Sequence, residues 1–161
     1  MHRGAALTLY DTVVASDWVD YNGHMNDAAY ALVFSRATDA LMDRIGLDSA
    51  ARKSSGRTLY TLQVMLHYLQ EASEGAPLFV ACQLLEHDDK RMRVWLDMTA
   101  PGGERLAASE QLLISVAQND GNTRAVAWSF ETKAALEALA KAQKDLPHPP
   151  AAGSGVALKR S

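Results

Sequence analysis

The repeat of the apolar residues changes once along the chain, and that change limits the fold more than any other feature. From Asp27 to Ile45, residues Tyr30, Val33, Phe34, Ala37, Leu41 and Ile45 recur at intervals of three and four, the signature of one helix face. Ala31, Leu32 and Ala40 widen the stripe, so the spacing predicts a helix covered on most sides. Asn26 or Asp27 suits its N-cap, and Gly46 stands where a left-handed stop is needed. From Thr58 the period falls to two. Tyr60, Leu62, Val64, Leu66 and Tyr68 share one face of a strand, opposite Thr61, Gln63, Met65 and His67. Leu78, Val80, Cys82 and Leu84 form a second alternating set. Met92, Val94, Leu96 and Met98 form a third, opposite Arg93, Trp95 and Asp97, and Leu106, Ala108, Leu112, Ile114 and Val116 a fourth. With Leu7 to Ala15 as a first strand, the expected fold is α+β, an antiparallel sheet of about five long strands wrapped around one central helix.

The ends are plainer. The segment 131–146 is helical in propensity, and its thin stripe of Ala135, Leu139, Ala142 and Leu146 predicts a surface helix stopped by Pro147. Thr123 to Trp128 reads as loop or edge strand, and Met1 to Ala6 as a mobile lead. A single domain is expected over 1–147, with a tail over 148–161 that is either disordered or docked. A net charge of −3 gives no general attraction to nucleic acid or membrane. Cys82 stands alone, so no intrachain disulfide is expected and a reducing cytoplasm fits. No signal peptide, membrane span or metal-binding spacing of His and Cys is expected. An exposed sheet edge and outer face would be resolved by dimerisation.

The chemistry concentrates just ahead of the helix. Asp20-Tyr21-Asn22-Gly23-His24-Met25-Asn26-Asp27 holds two carboxylates, two carboxamides, an imidazole and a glycine. Asp20 can attack an activated carbonyl or act as general base on water. Backbone amides from Met25 to Ala28, at the positive end of the helix dipole, can polarise that carbonyl. Gly23 lets an acyl group approach the backbone, and His24 and Asn26 can orient water or Asp20. The bland alternative is that Asp20 or Asn26 merely turns or caps the chain and His24 is a satisfied loop residue.

The ordered motif Asp20-x-Asn22-Gly23-His24-Met25-Asn26-x-x-x-Tyr30 resembles that of hotdog-fold acyl-CoA thioesterases of the 4-hydroxybenzoyl-CoA thioesterase type. Asp17 through Met25, Phe34 through Leu47, Tyr60-Thr61-Leu62, Lys90-Arg91 and Ala108 through Gln111 are similar to the branch that acts on betainyl-CoA in carnitine breakdown. The resemblance implies a thioester hydrolase with Asp20 as catalytic carboxylate, working as a homodimer or a tetramer of dimers with sites between subunits. It implies neither metal nor bound cofactor, CoA being part of the substrate. In that branch a glutamate and, two residues on, a histidine follow Tyr60-Thr61-Leu62; Gln63 and Met65 stand there in this chain. The loss of the negative charge weakens the expected recognition of a quaternary ammonium. Asp20, His24 and Asn26 are thus the candidate catalytic residues. Trp18, Gly23, Met25, Tyr30, Tyr60, Gln63 and His67 are the candidate substrate-binding residues. Trp18, Tyr21, Tyr60, Tyr68 and Trp95 are possible walls of a cation cage. Lys90, Arg91, Arg93, Arg105 and Arg124 could meet CoA phosphates. Glu110 is either a second pocket carboxylate or an anion paired to an arginine across the sheet. Two other functions fit the motif less well: an enoyl-CoA hydratase of the same fold, and a non-catalytic acyl-CoA-binding domain.

Overall fold

The computed structural model describes residues 5–158; the lead before Ala5 and the Lys159-Arg160 end of the tail lie outside them. The order is β1 (Leu7–Val13), a 3-10 turn (Ser16–Trp18), α1 (Asp27–Arg44), α2 (Ser49–Ser55), β2 (Arg57–Tyr68), β3 (Pro77–His87), β4 (Arg91–Thr99), β5 (Arg105–Asn119), β6 (Asn122–Ala125) and α3 (Phe130–Ala142). The strands pair antiparallel in the order β1-β3-β4-β5-β2, with β6 added to β5. This is the α+β arrangement expected of a hotdog fold: one long helix against a curled sheet.

Helix α1 starts where its cap is. The Asn26 carboxamide accepts the Ala29 amide at 3.0 Å, and Gly46 stops the helix with φ +84°. Its Tyr30, Val33, Phe34, Ala37 and Leu41 are buried against Leu78, Val80, Cys82, Met92, Val94, Leu96 and Met98 of the sheet. The helix is less enclosed than the sequence predicts. Ala31, Leu32, Ser35, Arg36 and Asp39 are exposed, because the sheet covers one side only.

Two strands depart from simple alternation. In β2 the register slips between Thr61 and Gln63, leaving Leu62 unpaired in a bulge. Leu59 and Thr61 therefore face α1 before the bulge, and Val64, Leu66 and Tyr68 after it, while Tyr60 turns to the outer face. In β5 the residues paired with the core positions of β4 are Ala107, Ser109, Gln111 and Leu113, not the expected Ala108, Leu112 and Ile114. Two polar side chains are thereby buried beneath the helix. They satisfy each other: the Thr38 hydroxyl lies 2.9 Å from Gln111 Oε1, and Gln111 Nε2 donates to Ser109 Oγ. In α3 the anchor is Leu136, fully buried, rather than the stripe through Ala142 and Leu146.

The tail docks. Ala151 and Ala152 pack on Leu85, Trp95 and Ala108 on the outer face of the sheet. The Gly153 amide donates to the Glu110 carboxylate at 2.8 Å.

Candidate active site

The loop before α1 is folded by its own polar side chains. Val19 and Met25 form an isolated antiparallel bridge, which closes a tight hairpin around Asp20. Asp20 Oδ1 accepts the amides of Asn22 at 2.8 Å and His24 at 3.2 Å, while the Asp20 amide donates to the His24 carbonyl. Gly23 takes φ +77°, a conformation that side chains resist, and open space surrounds its α-carbon. One carboxylate oxygen thus holds the turn, and Oδ2 carries no hydrogen bond among the described residues. Asp20 itself is exposed.

The loop is stitched to the segment after β2. Met25 donates to Ala72, Glu74 to Gly23, and His24 bridges to Ser73. The Tyr30 hydroxyl donates to the Gln70 carbonyl at 2.9 Å and the Tyr68 hydroxyl to the Asp27 carbonyl at 3.3 Å. The two rings meet edge to face at 5.3 Å. Burial pushes both phenols above their ordinary range, with the Asp27 charge adding to the effect at Tyr68. Among the described residues the His24 imidazole makes no hydrogen bond to Asp20; its Nδ1 sits 3.4 Å from Glu71 Oε2.

The expected carbonyl-polarising amides are mostly spent. Met25 N–H goes to Ala72, Asn26 N–H to Trp18, Ala28 N–H to the Asp27 carboxylate and Ala29 N–H to Asn26. Among the described residues, the Asp27 amide is the one at the helix mouth that no hydrogen bond occupies. Asn26 is a cap; its side chain is committed to Ala29.

Several expected members lie elsewhere. Gln63 and His67 are on the outer face of β2, opposite Leu112 and Ala108, with the sheet between them and the helix. His67 instead stacks on Trp95, ring centroids 5.4 Å apart. Tyr60 is near the far end of β2, bonded by Gln118. Trp18 adjoins the loop, but the Arg36 guanidinium stands over its ring at 5.4 Å, which removes one face from any cage. Glu110 pairs with Arg93 at 2.6 Å, so it is the structural anion. Arg91 pairs with Asp88, and Arg105 with Asp97; these side chains brace the hairpins.

The sequence reading missed a groove of about 330 Å³ between α1 and β2, lined by Phe34, Thr38, Met42, Leu59, Val64 and Leu66. The bulge at Leu62 shapes it, and a bulge leaves no mark in an apolar alternation.

A profile of the thioesterase-like superfamily matches residues 14–142, and so includes the Asp20 loop, α1 and the sheet from β2 onward. The chain belongs to the thioesterase-like superfamily. Betainyl-CoA thioesterase of Pseudomonas aeruginosa is 49% identical over 153 residues, covering 94% of this chain and 95% of that one. The L-carnitine dehydrogenase/betainyl-CoA thioesterase of Agrobacterium fabrum is 39% identical over 96% of this chain, which spans 31% of that larger protein. A Staphylococcus aureus protein solved in complex with CoA superposes with a TM-score of 0.88 at 25% identity, covering 99% of each chain. None of these favours the hydratase or the non-catalytic reading.

Proposed function

We infer that this thioesterase-like chain is an acyl-CoA thioesterase whose substrate is a small cationic acyl-CoA of the betainyl type, hydrolysed at Asp20. The observation that carries the substrate class is the 49% identity, over nearly the whole of both chains, to a betainyl-CoA thioesterase. The site's rim supports it: Asp20, Asp27 and Glu71 supply negative charge, and Tyr68 an aromatic face, beside the helix mouth. A quaternary ammonium is held by just such faces and charges.

In this reading the carbonyl oxygen rests on the Asp27 amide at the positive end of α1, where one donor is typically worth a factor of about 10² to 10³ in rate. Asp20 Oδ2 supplies the attacking oxygen directly, or takes a proton from water that attacks. The carbon–sulfur bond breaks, CoA leaves as the thiolate, and a carbon–oxygen bond replaces it. After direct attack that bond is an Asp20–acyl anhydride, which water then hydrolyses to free the acid and restore the carboxylate; after attack by water, Asp20 passes the proton it took to the thiolate. No metal or bound cofactor enters this scheme. His24 holds the loop against Glu71 and positions rather than reacts.

We also place the enzyme in the cytoplasm, as a homodimer joined along β2. That strand has a neighbour on one side only, and Leu62, Val64 and Tyr68 on it are each 51% exposed, an edge that a second copy would cover. Tetramers of dimers are not required.

A panel of acyl-CoAs tests the function. Thiol release is expected from betainyl-CoA in preference to acetyl-CoA. Loss of the crotonyl-CoA enoyl absorbance without thiol release would overturn the reading in favour of hydration.

A further inference from the structure

Arg52, Lys53 and Arg57 line a cavity of about 410 Å³ between α2 and the start of β2, together with Ser49, Thr58 and Gln118. No carboxylate lines it, and none of the three cations has an ion-pair partner among the described residues. Arg52 Nη1 is fixed by the Leu47 carbonyl and Arg57 Nη1 by that of Ala127. Each guanidinium is therefore aimed while its other N–H groups stay free. Arg91, Arg93 and Arg105, by contrast, are spent on Asp88, Glu86, Glu110 and Asp97. Two aimed guanidiniums and the unneutralised Lys53 ammonium around one concavity suit a ligand carrying several phosphate charges.

The cavity is at the wrong end of its own chain for such a ligand. β2 begins at Arg57 beside it and ends at Tyr68, whose hydroxyl touches the Asp27 carbonyl at the mouth of α1. Twelve residues of strand separate the two places, about 37 Å, further than a pantetheine arm reaches from thioester to phosphates. A second copy paired antiparallel along the free edge of β2 reverses this. A two-fold axis near the strand's midpoint sets the Arg57 end of one copy beside the Tyr68 end of the other.

We propose that Arg52, Lys53 and Arg57 bind the nucleotide phosphates of the thioester whose carbonyl sits at Asp20 of the partner subunit. The proposal rests on the thioesterase and dimer readings above, and it names residues that serve in trans.

The test compares betainyl-CoA with betainyl-pantetheine, which lacks the nucleotide. Lys53→Ala and Arg57→Gln are each expected to lower kcat/KM for the CoA thioester about tenfold relative to the pantetheine thioester, the loss of one charge-assisted contact. An unchanged ratio between the two substrates would overturn the assignment. Lys53 is exposed, so its variant folds whatever its role. Mixed dimers of Asp20→Asn with the Lys53→Ala/Arg57→Gln chain decide the geometry. A component with wild-type KM supports binding in trans, and its absence overturns it. Titration calorimetry with adenosine 3′,5′-bisphosphate gives a readout independent of turnover. Binding by the wild type and its loss in the double variant support the site, and no binding by the wild type overturns it. If neither thioester is hydrolysed, the thioesterase reading falls while the calorimetry still decides the site.

Discussion

Replacing Glu110 by alanine tests how the tail is held. The Glu110 side chain is 12% exposed and accepts Arg93 Nη1 at 2.6 Å and the Gly153 amide at 2.8 Å. Hydrogen bonds to a charged group contribute roughly 1.5 to 3 kcal/mol each. Arg93 is itself a quarter exposed and keeps Glu86 at 2.8 Å, so its share is discounted for solvent screening. The expected loss is about 2 to 4 kcal/mol for Glu110→Ala. Glu110→Gln, which keeps an acceptor for Gly153, should lose about half of that. Urea unfolding of both variants reads these losses as a shift of midpoint at constant slope. The same substitutions in a chain ending at Pro147 close a double-mutant cycle, in which Glu110→Ala should cost about 1 to 2 kcal/mol less because Gly153 is gone. A wild-type midpoint for Glu110→Ala, or an equal loss with and without the tail, would refute the clamp.

Gly56→Ala should destabilise by about 2 to 4 kcal/mol, since φ is +68° and the new Cβ would lie 2.8 Å from the Gln118 carbonyl oxygen. Gly23→Ala, with similar φ but open space, should cost only about 1 to 2 kcal/mol; thermal melts would rank the two. Burial pushes the Cys82 thiol up to about 12. A thiol reagent at pH 8 should therefore label native protein at a negligible rate and denatured protein at once, and rapid native labelling would contradict the burial. Hydrogen bonds from Arg91 and from the Lys90 and Arg91 amides hold the Asp88 carboxyl at about 2. A carboxylate depressed on folding stabilises above its unfolded value near 4, so the β3–β4 hairpin should loosen as pH falls from about 4 to 2. Amide exchange at Lys90 and Arg91 would show it, and protection unchanged across that window would argue against the pair.

The helix and the run of antiparallel strands that follows it were legible because each rests on local signals. Asn26, Gly46 and the period of α1 are written in neighbouring residues, as is the alternation of β3 and β4. What the sequence hid is long-range. The phase of β5 is ambiguous because Leu106, Ala107 and Ala108 are apolar on both faces, and Ser109 and Gln111 look outward until Thr38, 73 positions from Gln111, is brought to them. The bulge at Leu62 sent Tyr60 outward, while Gln63 and His67 keep their predicted face, which proves to be the sheet's outer one. Asp20 stood out in the sequence as a candidate carboxylate, but its turn bonds to Asn22 and His24, and the pairing of His24 with Glu71, depend on geometry that spacing alone does not give. The cations of α2 and the start of β2 were overlooked because nothing in Arg52-Lys53 or Arg57 marks them as unpaired, whereas Arg91, Arg93 and Arg105 stood out and proved to be neutralised.

The most direct test of the account is thiol release from betainyl-CoA by the Asp20→Asn protein. Asparagine retains the oxygen that accepts the Asn22 and His24 amides, so the turn and the melting temperature should be kept while the carboxylate is lost. The account predicts a fall in kcat of about 10² to 10⁴ in a protein as stable as the wild type. A variant that turns over at the wild-type rate would show that Asp20 only folds the loop and that the chemistry lies elsewhere.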